Sequence, residues 1–167
     1  TMGQKVMELT VISYSSAISA CEKAVEWQIA LSLLAAMGWA ALQPSVVSYN
    51  ATISACDKGA EWQGALALLI AMCRAVLKPD HISYNTAVSA CEKGIQWQRA
   101  LALLDAMFEF VLEPTAVSYS AAISACEKGA KWQWALTLLV ALNRAVSSQL
   151  EQRLRKRFRG AKRLCTA

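Results

Sequence analysis

The 167-residue chain carries 17 Lys+Arg against 12 Asp+Glu, a formal net charge of +5, with 56% hydrophobic residues, six cysteines and one histidine. That apolar content, over a length suited to one domain or one short repeat array, is enough to bury a core and excludes disorder along the whole chain. The charge is unevenly placed: residues 1–150 hold 10 basic and 11 acidic side chains, a balance of −1, whereas residues 151–167 hold seven and one, a balance of +6.

A membrane-spanning helix needs about 20 consecutive apolar residues. The longest candidate, residues 29–42, is shorter and contains Ser32 and Gly38, so it reads as a buried helix. No signal peptide is visible and no two cysteines stand at C-x-x-C spacing, which favours free thiols in a reducing compartment.

In chain order, residues 1–10 align with the end of a later pattern: Met2 matches Met37, Met72 and Met107, and Val6 matches Val76 and Val111. They are expected to be the remnant of a preceding repeat, in a chain that starts inside a longer array or lacks its encoded start. From residue 11 the words Val11-Ile-Ser-Tyr14, Val46-Val-Ser-Tyr49, His81-Ile-Ser-Tyr84 and Ala116-Val-Ser-Tyr119 recur every 35 residues without insertion. Four repeats follow, 11–45, 46–80, 81–115 and 116–150, and a fixed period of this size marks a solenoid, propeller or array.

Within a unit the apolar spacing is helical. Tyr49, Ile53 and Cys56 follow i, i+4, i+7, and Trp62, Leu66 and Leu69 repeat that stripe after Gly59. Two helices per unit are predicted. Ser13, Ser48, Ser83 and Ser118 suit the N-cap of the first, and Gly59, Gly94 and Gly129 suit a left-handed turn that ends it. The second runs to Met37, Met72 or Met107, after which Pro44, Pro79 and Pro114 bar continuation. Such a hairpin cannot bury its apolar faces alone, so successive hairpins must stack. The fourth unit departs from the pattern, with Gln149 in place of proline and Leu150 in the last position. Beyond it, Leu150, Leu154 and Phe158 are spaced for a terminal basic helix over residues 151–159 that caps the last hairpin.

Units reading V-V-S-Y-N-A-T-I-S-A-C-D-K-G, W-Q-G-A-L-A-L-L-I-A-M and L-K-P-D resemble the pentatricopeptide repeat family, over residues 11–150 in full. The tetratricopeptide repeat fits less well, because its period is 34 and tryptophan opens the second helix here. The resemblance implies an all-α fold, a right-handed superhelix of αα-hairpins, and recognition of single-stranded RNA at one base per repeat. It further implies that the fifth and last positions contact the base edge: Ser15 with Ser45, Asn50 with Asp80, Asn85 with Thr115, and Ser120 with Leu150. On that pattern Asn50/Asp80 favours uracil, Asn85/Thr115 a pyrimidine and Ser15/Ser45 only weakly a purine. Ser120/Leu150 departs from it, since leucine cannot hydrogen-bond a base. Polar groups near helix starts also cap and solvate, which is the plainer account of the same residues.

The second positions, Ile12, Val47, Ile82 and Val117, would pack against base faces as stiff β-branched side chains. Packing against the preceding hairpin explains them equally well at this point. Lys23, Lys58, Lys93 and Lys128, at the thirteenth position, would contact backbone phosphates. Each follows an acid, Glu22, Asp57, Glu92 or Glu127, that can neutralise it or face elsewhere. The cysteines recurring at the eleventh position, Cys21, Cys56, Cys91 and Cys126, read as small buried hydrophobes, and Trp27, Trp62, Trp97 and Trp132 as packing between hairpins.

No enzyme is expected. The H-x-E with P-C-x-x-C of zinc deaminases is absent, as are G-x-x-x-x-G-K-[ST] and G-x-S-x-G. One histidine, His81, supplies no catalytic set, and neither a cofactor nor a metal is implied. The second function class is a protein-interaction scaffold using the concave face. The basic tail is expected to add nonspecific nucleic-acid affinity, or affinity for an anionic membrane surface. Family resemblance points to mitochondrion or plastid, although no transit peptide is visible.

Overall fold

The computed structural model describes residues 2–147, with side chains from residue 11 onward. Among the described residues, seven helices precede one over residues 132–147: α1 Met2–Ala24, α2 Trp27–Trp39, α3 Val46–Lys58, α4 Trp62–Arg74, α5 His81–Lys93, α6 Trp97–Glu109 and α7 Ala116–Lys128. The last is α8. No strand occurs among the described residues.

The first helices begin three residues earlier than the serine pattern predicts. The N-caps are Ser45, Asp80 and Thr115, whose side chains accept from the backbone N–H of Ser48, Ser83 and Ser118. Those three serines stand at N3, where their hydroxyls accept from the N-cap backbone N–H and close a capping box. Ser13 lies inside α1. That helix runs unbroken from Met2, with no turn between residues 10 and 11. Leu9 stands where later units carry proline, so nothing there removes a backbone donor or bars the helix.

The hairpin turn also differs from expectation. Gly59, Gly94 and Gly129 have φ near −80° and need no glycine for their backbone conformation. The left-handed residue is the next one, Val25, Ala60, Ile95 or Ala130, with φ of 54° to 62°. Each turn closes in a Schellman pattern, as where Ala60 N–H meets Asp57 O at 3.1 Å and Glu61 N–H meets Cys56 O at 2.8 Å. The glycines serve packing instead. A Cβ on Gly94 would lie 2.8 Å from Cγ and 3.0 Å from Nε1 of Trp62, one on Gly129 would lie 2.6 Å from Cδ1 of Trp97, and Gly59 faces Trp27 in the same way. Trp27, Trp62 and Trp97 are thus each seated on the glycine of the following unit, as interhairpin packing predicts, whereas Trp132 is 65% exposed and packs between no hairpins among the described residues. Arg99 lies over the Trp62 ring, 4.5 Å from its centre.

Buried side chains of both helices meet across unit boundaries. Met37, Met72 and Met107 are fully buried, and Ala90 of the third unit joins the cluster built around Ile53 and Met72 of the second. Leu69 of the second unit in turn joins the cluster around Val88 and Met107 of the third. The core is therefore continuous along the array. α1, α3, α5 and α7 touch in succession, whereas α2, α4 and α6 each touch the first helices on either side and not one another. The first helices are therefore the closer-set row of the array. Among the described residues, no helix is long and apolar enough to cross a membrane. The expected basic helix at residues 151–159 lies outside the described residues.

Candidate nucleic-acid interface

Three rows of side chains run along the first helices, one residue of each per unit. The first row is Ile12, Val47, Ile82 and Val117, which are 61%, 67%, 62% and 64% exposed. Packing against the preceding hairpin does not account for them, because most of each side chain is left open to solvent. Each lies in the opening turn of its repeat pattern, where the helix row meets solvent.

The second row joins residues far apart in sequence. Asn50 Nδ2 donates to Asp80 Oδ1 at 3.2 Å and Oδ2 at 3.4 Å, and Asn85 Nδ2 donates to Thr115 Oγ1 at 3.4 Å. The fifth and last positions of one unit therefore form a single polar site, although 30 residues separate them. In the first unit Ser15 does not reach Ser45 in this way; the Ser48 hydroxyl stands between them, 3.0 Å from Ser15 Oγ and 3.1 Å from Ser45 Oγ. Ser120 is exposed, and Leu150 lies outside the described residues.

Burial pushes the Asp80 carboxyl up, but the bonds it receives from the Ser83 N–H, the Ser83 hydroxyl and Asn50 outweigh that and hold it below its ordinary value. It is an acceptor throughout the neutral range. The last residue of a unit is the N-cap of the next, so capping falls on the same side chain that the family resemblance expects to meet a base.

The third row is the lysines, and here an unexpected pairing appears. Lys58 Nζ lies 2.9 Å from Glu22, Lys93 2.9 Å from Asp57, and Lys128 3.0 Å from Glu92. The acid belongs to the preceding unit, not to the residue before the lysine in sequence. Ser54 and Ser124 donate to the same Glu22 and Glu92 oxygens at 2.8 Å. Burial raises the Glu22 carboxyl, and the Lys58 and Ser54 hydrogen bonds with the charges of Lys58 and Lys23 bring it below normal. Asp57, one methylene shorter, keeps Oδ1 buried without a hydrogen-bond partner. The lysines remain about two-fifths exposed, so their outer donors still face solvent. They sit eleven residues from the first row, roughly 16 Å along the helix at 1.5 Å per residue.

Cys56, Cys91 and Cys126 are fully buried. Burial pushes the thiols of Cys56 and Cys91 up to about 11, where they are protonated and inert. Among the described residues no group of three His, Cys, Asp or Glu side chains is placed to hold a metal.

The model of the pentatricopeptide repeat domain family matches residues 1–58 and 67–128, more than half of the chain. The chain belongs to the pentatricopeptide repeat family. This pentatricopeptide array superposes on the crystal structure of PPR10 from maize with a TM-score of 0.70 at 22% identity, over 85% of this chain and 20% of that one. It also superposes on PPR10 in complex with an 18-nt psaJ RNA element, with a TM-score of 0.69 at 25% identity, over 80% and 20%. The chain thus spans about a fifth of the length of those structures. No curated protein sequence matches it.

Two pairings at this pentatricopeptide site leave a signal in the sequence. An acid at the twelfth position followed 36 residues later by a lysine recurs at Glu22 and Lys58, Asp57 and Lys93, and Glu92 and Lys128. The third-position serine recurs in every unit, together with a capping residue three positions before it in the last three.

Proposed function

We propose that the chain is a segment of a single-stranded-RNA-binding array in which each unit offers its fifth and last side chains to one base. The observation that carries this reading is the joining of Asn50 to Asp80 and of Asn85 to Thr115, beside the exposed Val47, Ile82 and Val117. In each pair the asparagine keeps one N–H and one lone pair unspent. An adjacent donor and acceptor match a pyrimidine Watson–Crick edge, and a β-branched neighbour can cover the base face. On this reading Asn50/Asp80 takes uracil, Asn85/Thr115 a pyrimidine and Ser15/Ser45 weakly a purine, while Ser120 with Leu150 adds shape alone. Lys23, Lys58, Lys93 and Lys128 would meet phosphates through the donors that their carboxylate partners leave outward. PPR10 in complex with an RNA element, in the second comparison structure, supports RNA as the class of ligand.

Four units address about four nucleotides, too few for useful selectivity, so further repeats in the whole protein are part of the proposal. So is an organellar setting, mitochondrion or plastid, with an effect on RNA processing, stability or translation. Specific pairing of Lys58, Lys93 and Lys128 with acids favours a second reading, a scaffold that holds an extended peptide in the concave face.

Binding of short RNAs that differ at one base, measured by anisotropy across a salt series, separates these. The experiment compares the full chain with a chain ending at residue 150. Expected is a base preference that Asn50→Ser alters at one nucleotide only. An unaltered preference overturns the assigned positions, and loss of all binding on truncation assigns RNA affinity to the tail. No binding by either chain at low salt makes the scaffold the better reading.

A further inference from the structure

We propose that Ser83 and Ser118 are positioning residues that set the hydrogen-bonding polarity of the unit before their own, so that adjacent units do not read independently. The fully buried Ser83 hydroxyl of the third unit donates to Asn50 Oδ1 of the second at 2.6 Å, stands 3.0 Å from Asp80 Oδ1 and accepts the Asp80 N–H at 3.2 Å. One unit later Ser118, equally buried, donates to Asn85 Oδ1, accepts the Thr115 N–H at 3.0 Å and lies 3.1 Å from Thr115 Oγ1.

An asparagine amide is nearly the same shape after a half-turn about its last torsion, and only its partners decide which end is oxygen. In both units the serine hydrogen is directed to the asparagine Oδ1, at Ser83 shared with the more distant Asp80 Oδ1, and this sends Nδ2 toward the last residue of the unit. The two locks differ in strength. A carboxylate cannot donate, so Asp80 repels a flipped Asn50 oxygen even without Ser83. Thr115 can donate as well as accept, so the orientation of Asn85 rests on the Ser118 hydrogen, which is directed to Oδ1 while the Ser118 oxygen accepts the Thr115 N–H. In the first unit the fifth residue is Ser15, whose hydroxyl has no amide ends to orient, and no such polarity is set.

Base discrimination at the nucleotide facing the third unit therefore depends on a residue of the fourth. The binding half of this inference rests on the RNA reading above; the amide orientation does not. The chain has three asparagines, Asn50, Asn85 and Asn143, which simplifies assignment of their side-chain NH2 resonances in the full chain. Ser118→Ala is expected to speed solvent exchange of the Asn85 NH2 protons severalfold and leave Asn50 unchanged. Ser118→Thr, which keeps the hydroxyl, restores the slow exchange. With RNA, Ser118→Ala loses about fivefold of the pyrimidine preference at the nucleotide facing the third unit, the effect of one hydrogen bond.

A serine that only caps α7 would instead weaken the fourth unit, or all units evenly, and that pattern overturns the proposal. Unchanged Asn85 exchange in Ser118→Ala overturns it as well. If the wild-type chain binds no RNA, the exchange measurement still decides the orientation, and only the function assignment falls. Should Ser118→Ala not fold, Ser83→Ala reads the same effect at Asn50, smaller because Asp80 remains; no change there overturns the proposal.

Discussion

Gly94→Ala tests what the recurring glycine does. With φ of −78° the position accepts alanine without backbone strain, and removing a glycine lowers unfolded-chain entropy, which by itself stabilises by about 0.4–1 kcal/mol. Against this, the added Cβ would stand 2.8 Å from Cγ and 3.0 Å from Nε1 of Trp62. It is fixed to the backbone and cannot yield, so the indole must shift. Overpacking of this kind costs about 1–3 kcal/mol, and the displaced ring also loosens its contact with Arg99, about 0.5 kcal/mol more at an exposed site. The packing effect wins, for a net loss of roughly 1–2 kcal/mol. Urea unfolding followed by circular dichroism reads the loss. The decisive comparison is Gly94→Ala in a Trp62→Ala background, where the obstacle is gone and the entropy effect alone remains. There the substitution is expected to stabilise. Stabilisation by Gly94→Ala in the wild-type chain, or the same destabilisation in both backgrounds, would refute the steric account.

Val111→Gly is expected to stabilise by about 0.5–1 kcal/mol, because a β-branched residue at φ 59° costs roughly 1–2 kcal/mol and glycine's added freedom returns part of it. Val111 is 90% exposed, so no burial is lost, and a lower urea midpoint would contradict the estimate. Asp57→Glu should raise the melting temperature, by relieving the buried, unbonded Oδ1 and reproducing the Glu22 and Glu92 arrangement; the gain is about 1 kcal/mol. Asp80 has a folded pKa below its ordinary value of 3.8, so its contribution is fully present above that pH and is lost as pH falls through the lower folded value. Acid unfolding of Asp80→Asn should accordingly show a smaller drop in stability over that window than the wild-type chain, and parallel acid curves would count against the Ser83 and Asn50 bonds.

Much of this architecture is legible in the sequence because it is local and repeated. The 35-residue period, the two apolar stripes per unit and the prolines give the hairpins, and Cys56, Cys91 and Cys126 lie in the core as expected, with Cys21 only partly buried against it. The N-caps were misplaced by three residues for an identifiable reason. A capping box puts a hydroxyl at both of its ends, and Ser48, Ser83 and Ser118 repeat more visibly than the Ser45, Asp80 and Thr115 that do the capping. Glycine suggests a left-handed turn, yet the chain tolerates Val25, Ile95, Val76 and Val111 at positive φ and keeps glycine for the tryptophan seat.

The sequence alone thus determined the family, the helices and which residues share a row, since neighbours at i+3, i+4 and i+7 follow from helix geometry without any knowledge of the neighbouring hairpin. Tertiary structure decided what those rows touch. The Asn50–Asp80, Ser83–Asn50, Lys58–Glu22 and Gly94–Trp62 contacts all span roughly one repeat, 30 to 36 residues. Whether such pairs meet depends on the offset and rotation between stacked hairpins, which the packing of the shared core sets. For that reason the net charge of +5 described the chain poorly: three of its lysines are bound to acids of a neighbouring repeat, an arrangement that exists only once the hairpins stack.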